Sequence, residues 1–247
     1  MTVLCYHAVQ PGWTAPMSME PAVFAEHARW LARHRRVVPL HAYVDRLGLG
    51  AGPRWRDVAL TFDDGFASVH DHALPLLVEL GLPATVFLVA STIVEPGRLV
   101  DWVDRPPAEP LATLEIDQIR EMQEAGVAFE SHSYWHHDLT TLSFAECVED
   151  LRASREVLEE VLGHPVRLLA YPRGRHDGDV RAAAASAGYT HAFALPEQRE
   201  EPGRFAVPRV GIYHDNTIAH LRIKLARPYL AVRSLPALAA SRRASSR

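Results

Sequence analysis

At 247 residues with 48% hydrophobic content, the chain can bury one large core, and a net charge of −4 from 26 basic and 30 acidic side chains gives it no general field for nucleic acid. Cys5 and Cys147 lie far apart and outside any CxxC pair, so they suggest neither a disulfide framework nor a thiolate zinc site, and both are expected to be buried and inert. No run of about 18 apolar residues occurs, so no segment is expected to span a bilayer. With no positive leader ahead of an apolar stretch, the chain as numbered is expected in the cytoplasm, unless a start site further upstream restores an export signal.

In chain order, short β-branched or apolar runs alternate with longer stretches whose apolar residues recur every three or four positions. Strands are expected over 3–7, 36–40, 58–63, 84–90, 127–131, 166–171, 191–195 and 207–213, and helices over 21–34, 68–80, 114–125, 143–162 and 177–187. Gly81, Gly126, Gly163 and Gly188 each close a helix and precede a strand, which is C-cap chemistry. This cadence predicts βα units closing into a parallel sheet or barrel. Two stretches interrupt it. Residues 48–53 are glycine-rich but precede a strand, so they read as a surface loop and not as a phosphate cradle. Residues 95–110, rich in proline and charge, are long enough to form a lid or one wall of a groove. A single catalytic domain is expected over 1–226, followed by a basic, flexible tail over 227–247. No acidic residue follows Asp215, so the tail is cationic, and its conceivable partner is an acidic membrane surface or polymer, weakly held.

Three strand exits carry chemistry. Thr61-Phe-Asp63-Asp64-Gly65 puts adjacent carboxylates where a hydrophobic strand ends and a glycine lets the chain turn. Neighbours on an extended strand point to opposite sides, so the pair divides labour only where the backbone twists out of the strand. One carboxylate can then hold a metal while the other faces a reacting water. The bland alternative is a turn in which Asp64 caps the next helix. His132-Ser-Tyr-Trp-His136-His137-Asp138 follows the strand 127–131 and offers imidazoles four residues apart, which a helical turn would bring to one side. One Asp oxygen and two His nitrogens make a three-ligand set with open positions, the arrangement of a catalytic metal. Zinc suits it best, and Co2+, Ni2+, Fe2+ or Mn2+ fit the same donors. In Ala170-Tyr171-Pro172-Arg173-Gly174 proline fixes one φ and glycine releases the chain, so the Arg173 amide can be aimed into the site as an oxyanion donor.

Thr61-Phe-Asp-Asp-Gly65, His132-Ser-Tyr-Trp-His136 with Asp138-Leu139-Thr140, and Ala170-Tyr-Pro-Arg-Gly174 together resemble the motifs of the polysaccharide deacetylases of carbohydrate esterase family 4, over residues 3–213. The resemblance implies a distorted, incomplete (β/α) barrel of about seven parallel strands with its site at their C-terminal ends. It makes Asp64, His132 and His136 ligands of a divalent metal and Asp63 the general base in removing N-acetyl groups from N-acetylhexosamine residues. It also calls for a histidine as general acid, for which His7 in Leu4-Cys-Tyr-His7 is preferred over His214. The third motif departs from the family, with Ala170 where an Arg orients the catalytic Asp and Arg173 where a Tyr stands. Arg209 in Val207-Pro-Arg-Val is the expected source of the missing guanidinium. For sugar binding the candidates are Trp102, Trp135, Tyr171 and Pro172, while Trp13 and Trp55 could be core or site. Two other readings are an amidohydrolase of the same fold acting on a small amide, and a non-catalytic carbohydrate-binding or polysaccharide-assembly protein.

Overall fold

The computed structural model describes residues 2–48, 56–195, 203–226 and Tyr229. Trp55, most of the glycine-rich loop and, Tyr229 apart, the basic tail therefore lie outside the described residues. In chain order the elements are β1 (Thr2–Tyr6), β2 (Ala8–Val9), β3 (Ser18–Met19), α1 (Pro21–His34), β4 (Arg36–Val37), α2 (Leu40–Gly48) and β5 (Asp57–Phe62). A π-helical turn over Val69–Ala73 leads into α3 (Leu74–Leu80), followed by β6 (Ala84–Leu88), α4 (Ala90–Val94), α5 (Ile116–Glu124), β7 (Ala128–Ser131) and α6 (Phe144–Leu162). The chain continues through β8 (Leu168–Ala170), α7 (Gly178–Ser186), β9 (His191–Ala194), β10 (Val207–Gly211) and α8 (Ile218–Lys224).

All pairings in the main sheet are parallel, in the order β1-β10-β9-β8-β7-β6-β5, and a further β1–β5 pairing closes a barrel of seven strands. The short β4 pairs only with the start of β5, at Arg36↔Asp57 and Val37↔Val58. Side chains alternate along each strand. One set, including Val3, Ala59, Phe87, Leu168, Ala170, Phe193 and Val207, fills the barrel, and the other packs against the helices around Leu60, Val86, Phe129 and Leu169.

The expected strand over 36–40 is extended only at Arg36–Val37, because Leu40, Tyr43, Val44 and Leu47 recur at helical spacing and form the apolar face of α2. That face closes the N-terminal end of the barrel interior. α1 covers the expected residues, and the helices expected over 114–125, 143–162 and 177–187 form with ends shifted by one or two positions. α6 starts in a capping box, with Ser143 Oγ accepting from the Glu146 amide and Glu146 Oε2 accepting from the Ser143 amide. Gly163, at φ 72°, ends that helix in a left-handed C-cap. Among the described residues no helix is long and apolar enough to cross a membrane.

Candidate active site

The C-terminal ends of β1, β5, β7, β8 and β10 bring the chemistry together. β1 and β5 run in register with Cys5 beside Thr61 and Tyr6 beside Phe62, and the Asp63 amide donates to the Tyr6 carbonyl at 3.0 Å. Asp63 therefore continues the inward-facing row of Ala59 and Thr61. Asp64 would point outward, but its backbone is left-handed, at φ 70°, and the twist turns its carboxylate back toward the barrel mouth. Gly65 follows at φ 67°, where a Cβ would meet Leu88 Cδ2 at 2.8 Å.

Asp64 Oδ1 lies 3.2 Å from His136 Nε2 and 3.5 Å from His132 Nε2, and the three donor atoms all fall within 4.8 Å of one another. All three residues are buried. His132 Nδ1 is 2.8 Å from the Ala170 carbonyl, which places the ring proton on Nδ1 and leaves the Nε2 lone pair facing Asp64. Burial holds the His132 pKa down at about 4, so the ring is a neutral ligand at physiological pH. For Asp64 burial works against the charged form, but the hydrogen bond and charge of His136 outweigh it and hold the carboxyl below its usual range.

The two imidazoles are not carried on a helical turn, as their spacing predicts. Residues 132–138 form an irregular loop in which Ser133 and His136 are both left-handed, at φ 68° and 61°, a backbone no helix accommodates. The loop is held from outside. Asp150 on α6 accepts from the amides of Tyr134 and Trp135 at 3.0 and 3.2 Å, and Ser133 Oγ accepts from the His136 amide at 3.0 Å. The resulting ring arrangement is edge-to-face, with centroids 4.9 Å apart.

Arg209, in the middle of β10 and 0% exposed, grips Asp63 with both ends of its guanidinium, Nη1 to Oδ1 at 2.6 Å and Nη2 to Oδ2 at 2.7 Å. Its plane also lies over the Phe87 ring at 5.4 Å. Burial alone would raise the Asp63 pKa, but the charges of Arg209 and His132 hold it well below the usual carboxylate range. His7 extends the inward row of β1 and lies in a second buried group with Cys5 and Asp63, its Nδ1 without a hydrogen-bond partner. His214, the alternative acid, follows β10, with its amide bonded to the Pro16 carbonyl, and is in neither group.

The aromatic candidates fare differently. Trp102 is 7% exposed, donates its indole N–H to Asp64 Oδ1 at 3.1 Å and stacks on His136 at 4.9 Å, so it supports the ligands and offers no open face to a sugar. Tyr171 is 0% exposed, its hydroxyl donates to the Phe205 carbonyl, and Pro172 is buried beside it. Neither can stack on a polymer, because a strand exit packed against β9 has no free surface. Trp135 is half-buried with Arg98 over its ring at 4.6 Å, and it stays at the mouth. Trp13 belongs to the core beneath the 95–110 segment, where its indole N–H donates to the Arg105 carbonyl. Arg173 is left-handed at φ 57°, and its Nη2 donates to the Trp102 carbonyl at 3.3 Å, tying the β8 exit to that segment.

Three supporting groups escape sequence reasoning. Asp150 lies within a helical pattern, the indole of Trp102 approaches Asp64 from a loop, and Cys5, which was expected to be inert, places its thiol 3.3 Å from Asp63 Oδ2. Only the last had a signal, since Cys5 stands two residues before His7 on the same strand face.

A closed parallel barrel with a carboxylate and two imidazoles converging at its C-terminal mouth has the layout of a hydrolase built on a barrel scaffold. The family profile described as polysaccharide deacetylase matches residues 51–192, and the chain belongs to that family. YxkH of Bacillus subtilis is 24% identical over 216 residues, covering 86% of this chain and 71% of its own. The poly-beta-1,6-N-acetyl-D-glucosamine N-deacetylase of Staphylococcus aureus is 24% identical over 217 residues, covering 83% and 70%. Among solved structures, the Streptococcus pyogenes deacetylase PplD in complex with acetate superposes with a TM-score of 0.77 at 20% identity, over 92% of this chain and 98% of that one, which shows the shared fold.

Proposed function

We propose that the protein is a metal-dependent N-deacetylase that removes acetyl groups from N-acetylhexosamine residues of a polysaccharide or oligosaccharide, with the catalytic unit within residues 1–226. The observation that carries this reading is the convergence of Asp64, His132 and His136 beside a second carboxylate, Asp63, whose two oxygens Arg209 holds. The name of the Staphylococcus aureus relative supports the choice of glycan class.

The donor set fits a divalent ion, zinc above all, on two counts. Its three donor atoms converge, and the Asp64 carboxylate has a second oxygen, Oδ2, buried with no hydrogen-bond partner, a cost of about 1–3 kcal/mol that a cation held by that carboxylate would offset. Held there, the ion supplies a Lewis acid for the amide carbonyl and acidifies a water. The rest falls to the chain. Asp63, kept ionised by Arg209, accepts the proton of the attacking water. The Arg173 amide donates to the oxygen on which charge develops, a contribution typically worth about 3 kcal/mol. His7 donates the proton that lets the amine leave. Arg209 fixes both oxygens of Asp63, the task the third motif leaves vacant at Ala170. Trp135 is the aromatic candidate that keeps exposed surface, and a sugar stacking on it would have to displace Arg98 from its ring.

The test is acetate release from N-acetylglucosamine oligomers, with and without chelator, by the parent and by Asp63→Asn. Chelation should abolish activity, and loss of the base should lower kcat by about 10²–10⁴. Activity surviving both treatments would overturn this reading.

A further inference from the structure

The barrel mouth holds two groups of convergent ligand atoms, and the metal reading above uses one of them. The second is made of Cys5 Sγ, a ring nitrogen of His7 and a carboxylate oxygen of Asp63, all within 4.8 Å of one another. It follows from strand geometry. Cys5 lies in β1 and His7 just past its end, two residues on, so their side chains share a side, and the register of β1 on β5, Cys5 beside Thr61 and Tyr6 beside Phe62, leads His7 and Asp63 out of the sheet together. The three residues are 0%, 8% and 1% exposed, and His7 Nδ1 is buried without a partner.

We propose that Cys5, His7 and Asp63 form a second, inhibitory site for a thiophilic divalent ion such as Cd2+, or Zn2+ in excess. One thiolate, one imidazole and one carboxylate are a donor set for a soft or borderline metal, whereas the neighbouring Asp64, His132 and His136 set has no sulfur. Arg209 does not fill the site. It takes one lone pair on each Asp63 oxygen, at 2.6 and 2.7 Å, while a carboxylate has about four lone-pair positions, and a third now accepts the Cys5 S–H at 3.3 Å. Coordination exchanges that proton for the ion: the S–H bond breaks, the sulfur–metal bond forms from the electron pair left on sulfur, and the proton goes to solvent. The Asp63 lone pair that the thiol occupied is then free for the same ion. Binding would remove from use the two groups read above as base and acid, so the proposal rests on that reading for its inhibitory effect but not for the existence of the site.

The experiment uses zinc-loaded protein carrying Cys147→Ser, so that Cys5 is the sole thiol, titrated with Cd2+. Ultraviolet absorption from thiolate-to-cadmium charge transfer should grow to one equivalent while acetate release falls in parallel. Exchange of cadmium for zinc at the sulfur-free site cannot produce that band. Cys5→Ser keeps a donor for Asp63 and removes the sulfur. It should show no band and, measured against its own uninhibited rate, lose more than about tenfold in sensitivity to cadmium, since even outer partners of a metal are worth that much. If the serine variant fails to fold, the band in the Cys147→Ser protein still decides whether the site exists. No band, or equal inhibition of Cys5→Ser, overturns the proposal. A band with no parent acetate release at all would instead locate the failure in the functional reading.

Discussion

The two ends of the barrel treat buried charge in opposite ways. At the N-terminal end the buried carboxylates Asp57 and Glu130 each meet amide or basic partners, with Glu130 Oε1 left to its contact with His41 alone. Asp57 is held by Arg36 and Arg46, while Glu130 accepts from the Arg167 and Leu168 amides at 2.9 and 2.6 Å and meets His41 of α2 at 2.8 Å. At the C-terminal mouth Asp64 Oδ2 and one nitrogen each of His7 and His136 are buried without partners. The backbone differs as well: among the described residues, the non-glycine positions with positive φ are Asp64, Ser133, His136 and Arg173, all at strand exits of the mouth. Strain of this kind costs on the order of 1–3 kcal/mol per residue and persists where the surrounding structure imposes it. One end is built for stability, and the other holds open positions at stability's expense.

Substitutions that exchange these properties put the contrast at risk. The largest effect is expected from Arg209→Met, which leaves Asp63 buried without its partner and should cost about 3–5 kcal/mol of unfolding free energy. The same change should raise the Asp63 pKa and move the acid limb of the kcat profile to higher pH. An unchanged profile would remove Arg209 from the site's chemistry.

Next comes pH. His132 is neutral in the folded protein down to about 4, whereas the unfolded ring titrates near 6.5, so the unfolded state binds more protons between those values. The metal-free protein should therefore gain stability as pH rises from about 4 to about 6.5, by up to roughly 3 kcal/mol, and His132→Asn should flatten that slope in urea unfolding. Asp63, depressed by Arg209, adds stability that is present at neutral pH and lost as pH falls below about 4.

At the closed end, Glu130→Ala orphans the Arg167 and Leu168 amides and should cost about 2 kcal/mol while kcat per folded molecule stays near the parent value. A large kcat loss without loss of stability would erase the distinction between the ends. The smallest effect is at Trp102. Trp102→Phe keeps a ring over His136 and deletes the N–H to Asp64, so zinc affinity should fall by on the order of tenfold with the thermal midpoint of the metal-free protein unchanged. Equal affinity would reduce Trp102 to packing.

How much of this was legible in the sequence follows from the range of each interaction. The alternation of strand and helix patterns gave the barrel, because period 2 and period 3.6 are local signals. Asp63, Asp64, His132 and His136 stood out because each pair sits in one short segment. Arg209 was reachable only as a missing charge in search of a source. The His132–His136 geometry is not legible locally, since four-residue spacing implies a helix while two left-handed residues and the Asp150 carboxylate make a loop instead. Trp102 reaches Asp64 across 38 residues of chain, a distance at which no periodicity carries information, whereas Cys5, 58 residues from Asp63, was signalled only by its place two residues before His7.

The most direct measurement is calorimetric titration of zinc into chelator-treated protein, run in parallel with Asp64→Ala and His136→Ala. A single high-affinity ion per parent chain, lost in both variants, is the predicted result. Failure of the parent to bind, or binding that survives both substitutions, would contradict the assignment of the metal to Asp64, His132 and His136.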